Sequence, residues 1–313
     1  MRIVFMGTPE FAVPSLKALN ASGHEIIAVI TQPDRPRGRG QKLSFSPVKE
    51  AALALGLKIF QPHKIREQGF IEILKDLSPE LIVVVAFGQI LPESILKIPP
   101  YGCINVHASL LPAYRGPAPI HWAIMNGEKV TGITTMLMDT GLDTGDMLLK
   151  EEVAISPDMT TGELHDLLAQ VGAGLLVKTV ELWRKKEITP VSQKGMAFSY
   201  APLLKKEHEL IHWGKSAETV VNQIRGLEPW PGAYTMYNGG VLKIRGAKIY
   251  HQTEQKAQSG TVLQIVKDDG FVVQAGKGSV LVTKVQPFGK QTMGAASFCH
   301  GYHLEVGYVF TTD

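Results

Sequence analysis

The sequence predicts an α/β fold: a Rossmann-like domain built on a mostly parallel sheet, followed by a small, OB-like β-barrel domain. Two observations predict this architecture. In the first part of the 313-residue chain, short β-branched runs alternate with segments of helical spacing, which is typical of crossover units with buried parallel strands. In the last third, five short strands separated by glycine-containing turns indicate an antiparallel sheet of the kind that closes into a barrel.

The first domain is predicted to begin with the strand RIVFM and to close with a long amphipathic helix, so that it covers residues 1–189. Its predicted strands are RIVFM, EIIAVI, LIVVVA, CINVHA, TGITTMLMD and MLLKEEVAI. Its predicted helices are PSLKALN, SPVKEAALALGL, FIEILKDL and TTGELHDLLAQVGAGLLVKTVELWRKK. The apolar character of the early strands indicates that helices cover both faces of their sheet.

A linker is predicted over residues 190–206, where helical periodicity fades and Pro190 and Pro202 interrupt the chain. Residues 207–313 are then predicted to form the second domain. It begins with the helix SAETVVNQIRGL, and its strands are AYTMY, VLKIRGAKIY, GTVLQIV, FVVQA and SVLVTKVQP. The segments NGG, KDDG and GKG are predicted to form turns.

The composition is that of a globular protein, with 44% apolar, 19% charged and 7% aromatic residues. No run approaches 18 apolar residues, and the apolar run at the start meets Gly7 and Pro9 too early for a signal peptide. We therefore expect a cytoplasmic protein that does not enter a membrane. Cys103 and Cys299 are the two cysteines of the chain, too few for a disulfide framework or a cysteine-based zinc site.

The net charge of +3 is unevenly distributed. Residues 1–202 hold 20 basic and 20 acidic side chains, whereas residues 203–313 hold 12 basic and 9 acidic ones, so the whole excess lies in the last third. This distribution favours a polyanionic partner for that part, although strong nucleic-acid binders usually show a larger asymmetry.

The segment INVHASLLPAYRG places an amide and an imidazole near the end of a predicted strand. In CINVH the side chains of Cys103, Asn105 and His107 share one face, at the carboxyl end of the strand, where open α/β sheets carry their sites. A neutral amide and a protonated imidazole both donate hydrogen bonds, which suits them to stabilise an oxyanion on a carbonyl carbon under attack. The pair therefore predicts acyl transfer to a nucleophile that the substrate itself supplies.

A carboxylate is expected to orient the imidazole and to collect a proton. The segment MDTGLDTGDM offers three aspartates, and of these Asp143 lies between Gly141 and Gly145, which allow a tight loop that turns a carboxylate inward. The alternative is that Asn105 and His107 only end a strand and that the aspartates are solvated turn residues. Residue types alone leave both interpretations open.

Four spaced motifs give the chain a family resemblance: VVVAFGQILP, INVHASLLPAYRGPAPIHWAI, TGITTMLMDTGLDTGDML and GLEPWPGAY. With them the chain resembles the formyltransferases that use 10-formyltetrahydrofolate, and the resemblance covers both predicted domains. It implies that Asn105 and His107 stabilise the oxyanion, while Asp143 keeps the imidazole charged and helps to remove a proton. The sequence matches the family motif at all three of these positions.

The resemblance also implies the ligands of the protein. The formyl donor is expected to be 10-formyltetrahydrofolate and the acceptor the α-amine of methionyl initiator tRNA, and neither a metal nor a covalent intermediate is needed. Separately from the resemblance, we expect a monomer. The residues that the resemblance places at the folate are Phe87, Gly88, Ser109, Leu110, Leu111 and Pro112.

The basic segment QPDRPRGRGQK is the candidate for contact with RNA phosphates. Its proline and glycine residues are expected to keep it out of regular structure, and flexible basic loops of this kind bind nucleic-acid backbones. A solvated surface loop is the alternative, but the resemblance implies that a basic loop here engages the acceptor end of the tRNA. The candidate tRNA-binding residues are Arg35, Arg37, Arg39 and Lys42.

Three other functions compete with this one. A formyltransferase with the same three residues could act on an amino-sugar nucleotide, although it would have no use for the basic segment. A nucleic-acid-binding module with a degenerate folate site would have no need of three matched polar groups. A metalloprotease would need HELIH, His208 to His212, to form a zinc-binding helix, which Gly214 and the nearby linker argue against. Cys103 could act as a nucleophile, but a small buried strand residue is the favoured interpretation.

Overall fold

The computed structural model describes residues 1–37, 42–251 and 257–311. Its contacts divide the chain into two compact units. The first contains Met1–Pro117, Val130–Ala154 and His165–Ala201. The second contains Ala118–Lys129, Ile155–Leu164 and the chain from Pro202 onwards. Within the described ranges, no helix is long and apolar enough to cross a bilayer.

The strands are β1 Arg2–Gly7, β2 Glu25–Ile30, β3 Arg35–Arg37, β4 Lys42–Ser44, β5 Ile59–Phe60, β6 Leu81–Val85, β7 Cys103–His107, β8 Val130–Leu137, β9 Met147–Ala154, β10 Tyr234–Tyr237, β11 Gly240–Tyr250, β12 Val262–Val266, β13 Gly270–Gln274, β14 Ser279–Pro287 and β15 Met293–Gly294. The α-helices are α1 Val13–Ala21, α2 Pro47–Ala54, α3 Gln68–Leu77, α4 Glu93–Leu96, α5 Pro119–Met125, α6 Thr161–Arg184, α7 Ala217–Gly226 and α8 Ala295–Tyr302. Short 3-10 helices cover Glu10–Ala12 and Lys206–His208.

The first unit is built on a seven-stranded sheet with the strand order β5-β2-β1-β6-β7-β8-β9. The first five strands in this order, β5, β2, β1, β6 and β7, are parallel. Strand β8 runs antiparallel to β7, and β9 runs antiparallel to β8. All five residues of β6 are buried, as the apolar sequence of a central parallel strand requires. This confirms the predicted fold class and leaves β7 between a parallel and an antiparallel neighbour.

The second unit contains an antiparallel sheet with the order β10-β11-β14-β13-β12, and β15 pairs with β14. Isolated bridges join Thr261 to Val309 and Met236 to Thr311, so residues 309–311 connect the two edges of the sheet as in a small barrel. Helix α7 begins at a capped end, because the Ser216 hydroxyl accepts a hydrogen bond from the Thr219 amide at 3.2 Å. The core is rich in aromatic residues, among them Trp213, Phe271, Phe298 and Phe310.

Two parts of the chain are more regular than their sequence indicates. The prediction that QPDRPRGRGQK lacks regular structure is wrong for Arg35–Arg37 and Lys42, since β3 and β4 form an antiparallel ribbon with Pro36 opposite Leu43. Both strands of a two-stranded ribbon are edges, so the nitrogen of Pro36, which has no hydrogen, can face away from the partner. In the predicted linker, Val191 bridges to Met147 in the first unit.

Candidate active site

The candidate site starts at the carboxyl end of β7. Asn105 pairs with Met136 and His107 with Thr134 on the neighbouring β8. His107 is 6% exposed, whereas Asn105 is half-buried. The Asn105 carboxamide forms no hydrogen bond with another described side chain or backbone group, so its donors and acceptor remain available to a ligand.

The orientation of His107 is set by its two ring nitrogens. Nε2 lies 2.9 Å from the carbonyl oxygen of Tyr114. A carbonyl can only accept, so Nε2 carries a proton and donates it. Nδ1 lies 3.7 Å from Oδ2 of Asp143. Nδ1 is therefore the nitrogen that can gain or lose a proton at the site.

Asp143 is held in an unusual backbone conformation, with a φ of 52° in the left-handed region, which Asp tolerates better than most residues. Its Oδ2 accepts a hydrogen bond from the Gly116 amide at 2.8 Å, and its side chain is 15% exposed. Gly145 is required nearby, because a Cβ there would lie 1.8 Å from the carbonyl oxygen of Leu137. The loop thus turns one carboxylate towards His107, as the sequence predicts.

Asp139 has a different task in the same loop. Its Oδ1 accepts hydrogen bonds from the Gly141 amide at 3.0 Å and from the Thr144 hydroxyl at 2.7 Å. This carboxylate therefore closes the turn on itself, and Asp143 is the one that meets the imidazole.

The SLLP segment is fixed by a compact set of hydrogen bonds. The Thr134 hydroxyl donates to the carbonyl of Ser109 at 2.7 Å and accepts from the Leu111 amide at 3.0 Å. The Ser109 hydroxyl donates to the Ala113 carbonyl at 2.6 Å. The Lys150 ammonium donates to the Leu111 carbonyl, and partial burial lowers the pKa of this lysine.

Within this segment the exposed surface is unevenly shared. Ser109 and Leu111 are buried, whereas Leu110 and Pro112 are half-buried and present surface to a ligand. The side chains that this segment leaves accessible are therefore those of Leu110 and Pro112.

The segment Ala86–Gly88 forms a tight turn after β6, with a φ of 47° at Ala86 and 85° at Gly88. The ring of Phe87 is 2% exposed and packs into the core of the first unit. Its carbonyl accepts hydrogen bonds from the Thr8 hydroxyl at 2.9 Å and from the side-chain nitrogen of Gln32 at 3.3 Å. The ring of Phe87 therefore supports the turn from inside, and Gly88 is the part of it that a ligand could approach closely.

Two buried polar residues near the site were not predicted from the sequence. Arg115 is 5% exposed and Gln193 is 3% exposed, and the guanidinium donates from Nε and Nη2 to the side-chain oxygen of Gln193 at 3.1 and 2.8 Å. The guanidinium also lies over the ring of Phe198, 4.7 Å from its centroid. Arg115 stands in the conspicuous PAYRG motif, but no sequence signal marks Gln193, which lies in the predicted linker.

Of the candidate tRNA-binding residues, Arg35 and Arg37 lie on β3 and Lys42 on β4, while Arg39 lies outside the described residues. Arg35 is exposed. The neighbouring Asp34 forms an ion pair with Lys49, and this hydrogen bond lowers the pKa of Asp34. The acidic residue of the segment is thus engaged elsewhere.

Among the residues that it describes, the structure does not provide the arrangement that a zinc metalloprotease or a cysteine nucleophile would need. His208 ends a 3-10 helix and its Nδ1 accepts from the Lys205 amide at 2.9 Å, while residues 209–212 are not helical, so HELIH does not form a zinc-binding helix. Across the part of the chain that the structure describes, no three His, Cys, Asp or Glu residues form a group suited to a metal. Cys103 is 2% exposed, and burial raises the pKa of its thiol to about 12, which confirms it as a core residue.

This fold and these motifs define a formyl transferase. Residues 1–180 match the family model described as formyl transferase, and residues 203–303 match that of the formyl transferase C-terminal domain, so the chain belongs to this family. The chain is 56% identical over 311 residues to the methionyl-tRNA formyltransferase of Moorella thermoacetica, which covers 99% of each protein. It is 54% identical to that of Pelotomaculum thermopropionicum, covering 99% of this chain and 98% of the relative.

Solved structures share the fold at lower identity. The sugar 3N-formyl transferase WlaRD, solved with dTDP and 5-N-formyl-THF, has a TM-score of 0.68 and 21% identity, with 93% of this chain and 99% of that chain covered. HypX from Aquifex aeolicus, solved in complex with tetrahydrofolic acid, has a TM-score of 0.65 and 18% identity, with 100% of this chain and 51% of that chain covered.

Proposed function

We propose that this enzyme transfers the formyl group of 10-formyltetrahydrofolate to the α-amine of methionyl initiator tRNA. The observation that carries the proposal is the full-length identity of more than half with methionyl-tRNA formyltransferases. The chemistry of the site agrees with it, because an amide, an imidazole and a carboxylate stand together at a strand end beside a segment suited to a folate.

In the proposed reaction the amine nitrogen attacks the formyl carbon, and the bond from that carbon to N10 of the folate then breaks. Asn105 donates a hydrogen bond to the oxyanion that develops on the formyl oxygen. His107 in its doubly protonated form donates from Nδ1 to the same region, because Nε2 is already committed to the Tyr114 carbonyl.

Asp143 has two parts in this proposal. Its negative charge, 3.7 Å from Nδ1, stabilises the protonated imidazole. Both contacts that fix its carboxylate, from Gly116 and His107, use Oδ2, which leaves Oδ1 to take the proton released by the amine, directly or through water. That proton is finally delivered to N10 as the folate leaves.

The acceptor is proposed to contact two parts of the chain. The basic segment with Arg35, Arg37, Arg39 and Lys42 meets phosphates near the acceptor end, and the catalytic domain, residues 1–189, is followed by a tRNA-binding domain, residues 207–313, which carries the excess positive charge. We further propose that the enzyme works as a monomer in the cytoplasm, which sedimentation and cell fractionation test.

A formyl-transfer assay with isotope-labelled 10-formyltetrahydrofolate tests the function. Methionyl initiator tRNA, methionyl elongator tRNA and an amino-sugar nucleotide are offered as acceptors at equal concentration. We expect label on the initiator tRNA and at most traces on the other two. Label on the amino-sugar nucleotide alone would replace this function by the small-amine alternative, and no transfer to any acceptor would favour a binding module.

A further inference from the structure

The side chain of Gln193 joins two backbone carbonyls of the loop that carries Asp143. Its side-chain nitrogen donates to the carbonyl oxygen of Asp143 at 2.9 Å and to that of Gly145 at 2.7 Å. Gln193 is 3% exposed, so these carbonyls have little access to water as an alternative donor. One buried amide therefore satisfies the two carbonyls that flank the turn after Asp143.

Arg115 fixes which way round this amide stands. Because Nε and Nη2 of Arg115 both donate to the side-chain oxygen of Gln193, its nitrogen must face the Asp143 loop. The flipped amide would oppose donors to donors at Arg115 and acceptors to acceptors at the loop. Arg115 is itself anchored, since its amide donates to the Ser199 carbonyl at 2.9 Å and its carbonyl accepts from the Ala201 amide at 2.7 Å.

The same hydrogen-bond network orients the carboxylate of Asp143. Gly116, which follows Arg115, donates its amide to Oδ2 of Asp143. Tyr114, which precedes Arg115, accepts from His107. The three consecutive residues 114–116 therefore contact His107, Gln193 and Asp143, and the backbone of Asp143 is held in the left-handed region, with a φ of 52°.

We propose that Gln193 is a positioning residue for formyl transfer: it acts through Asp143, by holding the loop so that the carboxylate faces His107. This inference rests on the proposed function, in which Asp143 stabilises the imidazolium and takes the amine proton. Because its side chain is 3% exposed and its polar atoms are bonded to Arg115 and to the Asp143 loop, Gln193 is assigned no contact with the substrate. Since a misplacement of about 1 Å can cost roughly 10²-fold in rate, we expect loss of the bridge to lower kcat by about that factor.

Gln193→Glu is the sharp variant, because the carboxylate keeps an acceptor for Arg115 but offers no proton to the two carbonyls. Gln193→Met, of similar length and uncharged, serves if the first variant does not fold. Thr179→Val is the matched control: Thr179 is a fully buried polar residue of the same unit that donates to the Leu175 carbonyl at 2.7 Å, meets the Thr135 hydroxyl at 2.9 Å, and bonds to none of Asn105, His107, Asp143 or Gln193. All variants are compared for thermal stability and for kcat on methionyl initiator tRNA.

The decisive readout is a double-mutant cycle with Asp143→Ala. If Gln193 acts through Asp143, Gln193→Glu lowers kcat about 10²-fold alone and has no further effect in the Asp143→Ala background, while Thr179→Val leaves kcat within about twofold. Equal losses with and without the Asp143 carboxylate, or a kcat near that of the wild type, would overturn the inference. Failure of the wild-type enzyme to formylate tRNA would instead overturn the proposed function, and the inference with it.

Discussion

Nδ1 of His107 lies 3.7 Å from Oδ2 of Asp143, while Nε2 of the same ring donates to the carbonyl oxygen of Tyr114 at 2.9 Å. The Tyr114 contact fixes one proton on the ring. A second proton on Nδ1 would face a carboxylate, and without that proton the nitrogen lone pair and the carboxylate would repel each other. The ring is thus held between a carbonyl oxygen at Nε2 and a carboxylate at Nδ1, which fixes its orientation in the site.

The first prediction concerns these two residues and Asn105. Replacing Asn105, His107 or Asp143 by Ala should each lower turnover by roughly 10²- to 10⁴-fold, because each removes an oxyanion donor or a proton acceptor. Single-turnover formyl transfer measures the effect, and circular dichroism checks the fold. Near-normal turnover in a well-folded His107→Ala variant would refute the mechanism.

Much of this site was accessible from the sequence. The strand CINVH predicts that Asn105 and His107 share a face, and the glycines around Asp143 predict a loop that turns a carboxylate inward. Both predictions depend on local rules, strand alternation and glycine conformation, which a short stretch of sequence carries.

What the sequence did not reveal depends on distant partners. Gln193 is 50 residues from Asp143 along the chain, and nothing in its neighbourhood distinguishes it from a solvated linker residue. Phe87 belongs to the turn that is predicted to line the folate site, but the sequence does not show that its ring is buried in the core, because that depends on the conformation of the turn at Ala86–Gly88. Strand β5 is two residues long, too short to leave a periodic pattern.

A second prediction concerns Cys103, whose thiol pKa is raised to about 12 by burial. Cys103→Ala should keep most of the turnover, because the thiol takes no part in the proposed reaction. In the wild type, Cys103 should resist alkylation at neutral pH, because the thiolate is not formed. Stability provides a further check. The folded state keeps the thiol protonated, while the thiol of the unfolded state ionises near pH 8.5. The contribution of the buried thiol to the free energy of unfolding is therefore fully present below that pH and is lost as the pH rises towards 12.

Between about pH 9 and 12 the free energy of unfolding should therefore fall more steeply in the wild type than in Cys103→Ala, by up to about 1.4 kcal/mol per pH unit. Urea unfolding at a series of pH values measures this difference. Parallel curves for the two proteins would show that the thiol is solvated, and complete loss of turnover in a folded Cys103→Ala would support covalent catalysis instead.

A third prediction uses two glycines of the first unit. Gly145→Ala should destabilise the protein by about 1–3 kcal/mol and reduce turnover, because its Cβ would lie 1.8 Å from the backbone oxygen of Leu137 and the Asp143 loop would have to move. Gly174 in α6 is the control, since a Cβ there meets nothing within 4 Å. Gly174→Ala should stabilise the helix by roughly 0.5–1 kcal/mol and leave turnover unchanged. Equal effects of the two substitutions would contradict the loop geometry.

The last prediction tests whether the basic segment meets RNA. Binding of methionyl-tRNA should weaken steeply with salt, with a log-log slope of about −0.7 to −0.9 for each phosphate contacted, because each contact releases counterions. Arg35→Ala and Arg39→Ala should each raise KM for the tRNA or lower turnover on it and flatten the slope by about one contact, while folate binding stays nearly unchanged. Lys17→Ala, which removes an exposed cation from α1, is the matched control and should change neither. Equilibrium binding at several salt concentrations gives the slopes directly. If both arginine variants kept the wild-type slope and the wild-type rate of tRNA formylation, the basic segment would be a solvated surface without a part in tRNA binding, and the phosphate contacts would have to lie elsewhere on the enzyme.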